Sequence, residues 1–153
     1  MDKIARVQLY IDAASAIGYG AYFRGHWLNG YWSPSQASRS LTWKELFPVA
    51  LACRVWGPQW AQHKLLVHCN NAAVTAIMSS GTCRDPHVKR LVRDIFFSAA
   101  QNQFIIFVQH ILGTDNSIAD SLSRFQMFRF RELVPQADNL PTHDSQPEGW
   151  WMA

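Results

Sequence analysis

Four oxygen-bearing side chains sit where the pattern of the chain places the ends of regular elements: Asp12, Glu45, Asn70 and Asp120. Carboxylates are scarce. From Asp12 to Asp120 there are only six, the others being Asp85, Asp94 and Asp115, so each stands out. Carboxylates gathered at a sheet edge repel one another and accumulate where cations hold them. Hard divalent ions such as Mg²⁺ take oxygen ligands of this kind, with water and substrate phosphate completing the shell. Singly, each residue has a plainer reading. Asp12 ends a strand, Glu45 fits the N3 position of a capping box opened by Thr42, Asp120 is a solvated helix residue, and Asn70-Asn71 cap the next helix. Together on one topology they read as a site.

The elements that must position them follow from periodicity. Val7–Ile11 alternates as a strand ending at Asp12, with Ala13-Ala14-Ser15-Ala16 as a turn. Gly18–Phe23 and His26–Trp32 read as second and third strands joined at Gly25, an antiparallel meander. Ser33-Pro34-Ser35-Gln36 reads as a loop, and Thr42 opens a helix running to Trp56, with Pro48 inside it and Gly57-Pro58 stopping it. Lys64–Cys69 is a fourth strand, and Asn71–Met78 a short helix. Asp85-Pro86 starts a helix whose Val88, Leu91, Val92, Ile95 and Ala99 share one face. Phe104–His110 reads as a fifth, largely buried strand, and Ser117–Phe125 as a last helix. The order implies an α/β fold: a five-stranded mixed sheet, strands 1–3 an antiparallel meander and the last two parallel, flanked by helices. Residues 1–125 form the expected domain. Residues 126–153, broken by Pro135, Pro141 and Pro147, read as a polar tail or linker, partly disordered.

Composition narrows the class. Hydrophobic content of 48% with 16% charged residues marks a globular chain. The longest apolar runs, such as Phe104–Val108, are too short to span a bilayer, so no membrane partner is expected. The amino terminus lacks the apolar stretch of a signal peptide. Three cysteines without C-x-x-C spacing point to a reducing compartment, hence an intracellular location, cytoplasmic or nuclear. A net charge of +3 favours an anionic partner.

Several blocks, in order, carry a family likeness: Leu9-Tyr10-Ile11-Asp12-Ala13 with Gly18-Tyr19-Gly20-Ala21, then Leu41–Pro48, Val67-His68-Cys69-Asn70-Asn71, and His110–Gly113 through Asn116 with Ala119-Asp120-Ser121-Leu122-Ser123-Arg124-Phe125. Over Val7 to Phe125 the chain resembles a ribonuclease H domain of a retroelement reverse transcriptase, in the branch found in DIRS-like, tyrosine-recombinase retrotransposons. The last block is the most specific and Gly18–Ala21 the weakest. The segment Phe130–Thr142 also resembles the connector towards the recombinase in such elements. No polymerase sequence is present.

The resemblance implies a two-metal endonuclease that hydrolyses the RNA strand of an RNA–DNA hybrid, using two Mg²⁺ ions with Mn²⁺ as a substitute. Asp12 is implied to bridge both ions, Asp120 to hold the ion that activates water, and Glu45 with residue 70 the ion on the leaving-group side. Two ions clamping the attacking and leaving oxygens stabilise an in-line displacement. His110, ten residues before Asp120, has the spacing of the family's mobile histidine, implicated in proton transfer or product release; a strand-end histidine is otherwise often structural. Substrate contacts are expected from Ser15, Arg39, Lys44, Arg84 and Arg124, with Lys89 and Arg90 as further phosphate candidates and Asn71 reading the 2′-hydroxyl.

The departures matter. Asn70 stands where the family pattern has aspartate, which removes a charge and brings two N–H donors. Impaired or abolished catalysis is expected. Ala14 stands where serine is common, and Leu112 replaces the usual proline before Gly113. The alternative to an enzyme is a catalytically dead module, captured or engineered, that binds hybrid or protein on the same scaffold. The Lys44-Glu45 and Asp120 blocks argue against an integrase-like transferase.

Overall fold

The computed structural model describes residues 6–152. Five strands, β1 (Arg6–Ala14), β2 (Gly18–Phe23), β3 (His26–Tyr31), β4 (Lys64–Cys69) and β5 (Ile105–His110), form one sheet in the order β3-β2-β1-β4-β5. β1, β2 and β3 pair antiparallel, and β4 and β5 join in parallel, as the pattern implies. Arg24 and Gly25, both at positive φ (48° and 85°), make the two-residue turn between β2 and β3, the geometry that matches strand twist.

Alternation along β1 sorts its side chains. Val7, Leu9 and Ile11 enter the main core, together with Ala21, Leu28, Leu65, Val67 and Cys69 of the neighbouring strands. Covering that face are α2 (Leu41–Trp56) and α4 (Pro86–Asn102), with α3 (Ala72–Ser80) beside them. α4 begins as expected, the Asp85 carboxylate accepting from the His87 and Val88 N–H groups with Pro86 at the first helical position. On the opposite face α5 (Ser117–Ser123) and α6 (Met127–Leu133) lie over β2 and β3, where Leu122 and Phe130 pack with Trp27. No helix among the described residues is long and apolar enough to cross a membrane.

Several expectations are corrected. β1 runs on through Ala14, so the turn begins at Ser15. Ser33–Gln36 is no loop: Ser33 caps a short helix, α1 (Pro34–Ala37), through a capping box with Gln36. Ser40, not Thr42, caps α2, its hydroxyl accepting from the Trp43 N–H at 3.1 Å. β5 is an edge strand with Ile105 and Phe107 half exposed, because no element covers their side of the sheet.

The segment after Gln126, expected to be a polar tail, is anchored by buried residues at Phe130, Val134, Ala137 and Trp151, with most of residues 138–149 exposed. Phe130 is fully buried, its ring 5.2 Å from that of Trp27. The Trp27 indole N–H donates to the Asp138 carbonyl at 2.7 Å, and Arg131 donates to the carbonyls of Ala137, Asp138 and Asn139. Trp151 closes over Trp43 in the main core. Aromatic anchoring does here what helical periodicity would do in a longer element.

Candidate active site

Asp12 lies near the end of the central strand, its Cα opposite Gly20 of β2, and is only 5% exposed. Gly20 matters because α5 passes directly above it. A Cβ there would stand 2.5 Å from the Leu122 Cβ and 3.0 Å from the Ser123 nitrogen, so only glycine lets α5 approach β2 so closely. Asn116, buried just before α5, fastens the helix by donating from Nδ2 to the Ile11 carbonyl at 2.8 Å. Ser123 at the far end of α5 places its Oγ 3.0 Å from Asp12 Oδ2 and 2.9 Å from the Asp120 carbonyl. One hydroxyl proton thus serves two acceptors.

Glu45 reaches the same strand end from the other side. Because Ser40 caps α2, Glu45 falls in the second helical turn, and a capping-box role is excluded. It is 6% exposed, and its Oε2 is buried with no hydrogen-bond partner. Burial, then the charge of Asp12, pushes the Glu45 carboxyl up to about 8; the Ala13 backbone N–H opposes the shift. Burial also raises Asp12, to about 6, with Asp120 adding to the rise and the Ser123 hydroxyl opposing it. The charge of Asp12 favours the protonated form of the desolvated Glu45 carboxyl, a preference that a bound cation would reverse.

Asp120 differs. Burial pushes its carboxyl up, but Arg129 and Arg124 outweigh that and hold it below the usual range. Arg124 Nε donates to Oδ1 at 2.9 Å and Arg129 donates to Oδ2 at 2.7 Å. Arg129, on α6, was not among the expected site residues; the packing of that segment brings it here. Sequence reading also missed Gly20, Ser123 and Asn116, although all three lie within the quoted family blocks.

The remaining expected residues sit at the periphery or in structural roles. Asn70 is exposed, one residue beyond β4, with its Nδ2 facing Gly113. His110 is exposed at the end of β5, its Cα opposite Cys69. Asn71 caps α3, its side-chain oxygen accepting from the Val74 N–H at 3.0 Å. Lys44 is buried rather than poised for phosphate: its ammonium donates to the Ser15 carbonyl at 2.7 Å and fixes the turn after β1. Ser15 itself is exposed in that turn. Arg39 is half-buried and lies over the rings of Trp43 and Trp151, and Arg84 is exposed ahead of α4. Arg124 is exposed, with its guanidinium donating to Asp120.

The donor chemistry suits a hard divalent ion: oxygen ligands, one of them buried and unpartnered, beside a second desolvated carboxylate. The number is short. Among the described residues, no group of three or more His, Cys, Asp or Glu side chains is gathered closely enough to hold one ion. Asp120 is turned to its arginines and position 70 offers only an amide.

No protein-family model and no curated protein matches the chain in sequence. Solved structures do match. The amino-terminal ribonuclease H domain of a Mycobacterium tuberculosis protein, solved as a fusion with maltose-binding protein, superimposes with a TM-score of 0.56 at 18% identity, covering 77% of this chain and 95% of that one. Ribonuclease H1 of the halophilic archaeon Halobacterium salinarum gives 0.61 at 13% identity over 77% and 94%. LC11-RNase H1, solved in complex with an RNA/DNA hybrid, gives 0.58 at 16% identity over 80% and 99%. The five-stranded mixed sheet with its flanking helices is the ribonuclease H fold.

Proposed function

We propose that the chain is the ribonuclease H domain of a retrotransposon reverse transcriptase of the DIRS-like branch, acting within the cell, in cytoplasm or nucleus, on an RNA–DNA hybrid. The observation that carries this reading is the pairing of Asp12 with Glu45: two buried carboxyls, one with an unpartnered oxygen, at the end of the central strand of a ribonuclease H fold. Asp12, Glu45 and Asp120, with the Asn70 carbonyl, form the set for two Mg²⁺ ions, or Mn²⁺ in their place. Such ions, when bound, supply charge stabilisation at the attacking and leaving oxygens of an in-line displacement.

The chain's own groups do the rest. Asp12 and Glu45 would hold such ions as carboxylates, and Ser123, which donates to Asp12 Oδ2, keeps that carboxylate oriented. Asp120 exchanges its arginines for a place in the site, which frees Arg124 and Arg129 to meet substrate phosphate. His110, exposed on the edge strand, takes the role that its spacing from Asp120 implies, proton transfer or product release. Asn70 brings a neutral carbonyl where charge is needed, so catalysis is reduced more than hybrid affinity. A second reading, a non-cleaving hybrid-binding or protein-interaction module, is favoured by Asn70 together with the arginine clamp on Asp120.

Cleavage of a labelled hybrid in Mg²⁺ and Mn²⁺, comparing this chain with Asn70→Asp, tests both. A folded Asn70→Asp protein that cleaves supports the nuclease; no cleavage by either leaves the binding module. Equal cleavage by both overturns the role given to Asn70.

A further inference from the structure

Outside the candidate active site, a cavity of about 580 Å³ opens between α2 and α4 and is closed at one end by Trp150 and Trp151. Three guanidiniums, of Arg54, Arg90 and Arg93, line it against one carboxylate, Asp94. That carboxylate is fully engaged: Arg54 donates to both its oxygens, at 2.6 and 2.9 Å. Arg54 is further fixed by Gln146 and by stacking on Trp150, 4.1 Å from the ring centroid, so it forms a rigid wall. Arg90 and Arg93 are exposed and have no hydrogen-bond or ion-pair partner among the described residues.

The spacing of these free cations is ordered. Arg90, Arg93 and Phe97 lie three and four residues apart along α4 and share one helical stripe. Phe97 is 64% exposed, with its ring at the rim of the cavity. Arg93 also lines a neighbouring hollow of about 290 Å³ with Lys89 and the Gly81–Cys83 turn, so positive charge continues along the helix. Arginines on a helix are commonly only solvated surface. Here they are set in a concavity, have lost their one acidic neighbour, and end on an open aromatic ring. Phosphates on a cationic track with bases on aromatic rings is how single strands are held without sequence readout. An acidic peptide would satisfy the guanidiniums but leaves the ring without a planar partner.

We propose that this groove binds single-stranded nucleic acid, backbone phosphates on Arg90 and Arg93 and a base stacked on Phe97. The surface is separate from Asp12, Glu45, Asn70 and Asp120, and goes beyond the hybrid-cleaving reading.

The test is fluorescence anisotropy of a labelled twelve-nucleotide oligothymidylate with the full chain, across a salt series. The variants are R90A/R93A, F97A and, as an equal loss of charge elsewhere, R24A/K64A. R90A/R93A is expected to weaken binding at least about tenfold and to lower the salt slope by roughly 1.4, from about 0.7 per phosphate contact on a single strand. F97A is expected to weaken it about tenfold, in keeping with loss of one stacked base. Absence of strand binding, an equal loss in R24A/K64A, or no loss in F97A overturns the proposal. So does a polyglutamate peptide that binds as tightly and with the same dependence on Arg90 and Arg93. Hybrid cleavage by Asn70→Asp without strand binding sinks this inference alone. Strand binding without hybrid cleavage sinks the nuclease reading alone.

Discussion

The inner and outer halves of the candidate active site are built on opposite terms. Asp12 and Glu45 are buried, supported by the central strand and the longest-buried face of α2, and both carboxyls are raised. Asn70, His110 and Asp120 stand on the rim, at a strand end, on the edge strand and on a short helix. There the one acid is neutralised by arginines that the fold itself supplies. The inner half therefore stores unfavourable electrostatics that only a cation or a proton relieves, while the outer half is already at rest. An asparagine on the rim leaves the inner tension intact and offers no charge to share a cation with it.

The comparison breaks most visibly at position 70. Asn70→Asp is expected to raise the hybrid-cleavage rate by at least about a hundredfold, equivalent to ~2.7 kcal/mol of transition-state stabilisation, measured in single-turnover assays. A smaller gain would place the deficit in the inner half instead.

Glu45→Gln tests the inner tension directly. A carboxyl raised in the folded state binds more protons folded than unfolded, so its contribution is greatest at low pH and is lost as pH rises. For Glu45 that window runs from its ordinary 4.5 to about 8. In the absence of divalent ions, unfolding stability is expected to fall across this window, and Glu45→Gln to remove most of the fall. The variant should gain about 2 kcal/mol at the upper end, as burial of an ionised carboxylate is relieved. Added Mg²⁺ should stabilise the unsubstituted chain there and Glu45→Gln much less. Thermal unfolding over a pH series reads both.

Gly20→Ala separates the halves mechanically. The added methyl must push α5 away from β2, at about 1–2 kcal/mol of overpacking. Ser123 and Asp120 should move while Glu45 stays, visible as chemical-shift changes confined to β2, α5 and β1. The smallest effect is expected from Arg129→Ala. Asp120 should titrate closer to its ordinary range while Arg124 still holds it, with little change in stability because the pair is partly exposed. Carboxyl-detected NMR titration checks it.

Much of this was legible in the chain. Alternation in β1 and β2, the Asp85-Pro86 start and the order of elements were enough for the sheet and its parallel crossover. Asp12, Glu45 and Asp120 stood out because acids are so few. What stayed hidden depends on contacts distant in sequence. Ser40 and Thr42 are equally good caps locally, and only the path from α1 selects Ser40. Gly20 is one small residue in a strand until α5 is laid over it. Phe130, Arg129 and Trp151 belong to elements of three to seven residues, too short to carry a period, and pack through single aromatic anchors. An apolar run such as Phe104–Val108 reads alike in a central or an edge strand, and burial differs only through what covers it.

The edge position of β5 has a dynamic consequence. Its outward backbone amides have no neighbouring strand, whereas β1 and β4 are paired on both sides. Local opening draws on the least supported segments first, so deuterium should enter β5 well before the two strands inside it. His110 therefore rides on the part of the sheet that breathes, while Asp12 is held on the part that does not.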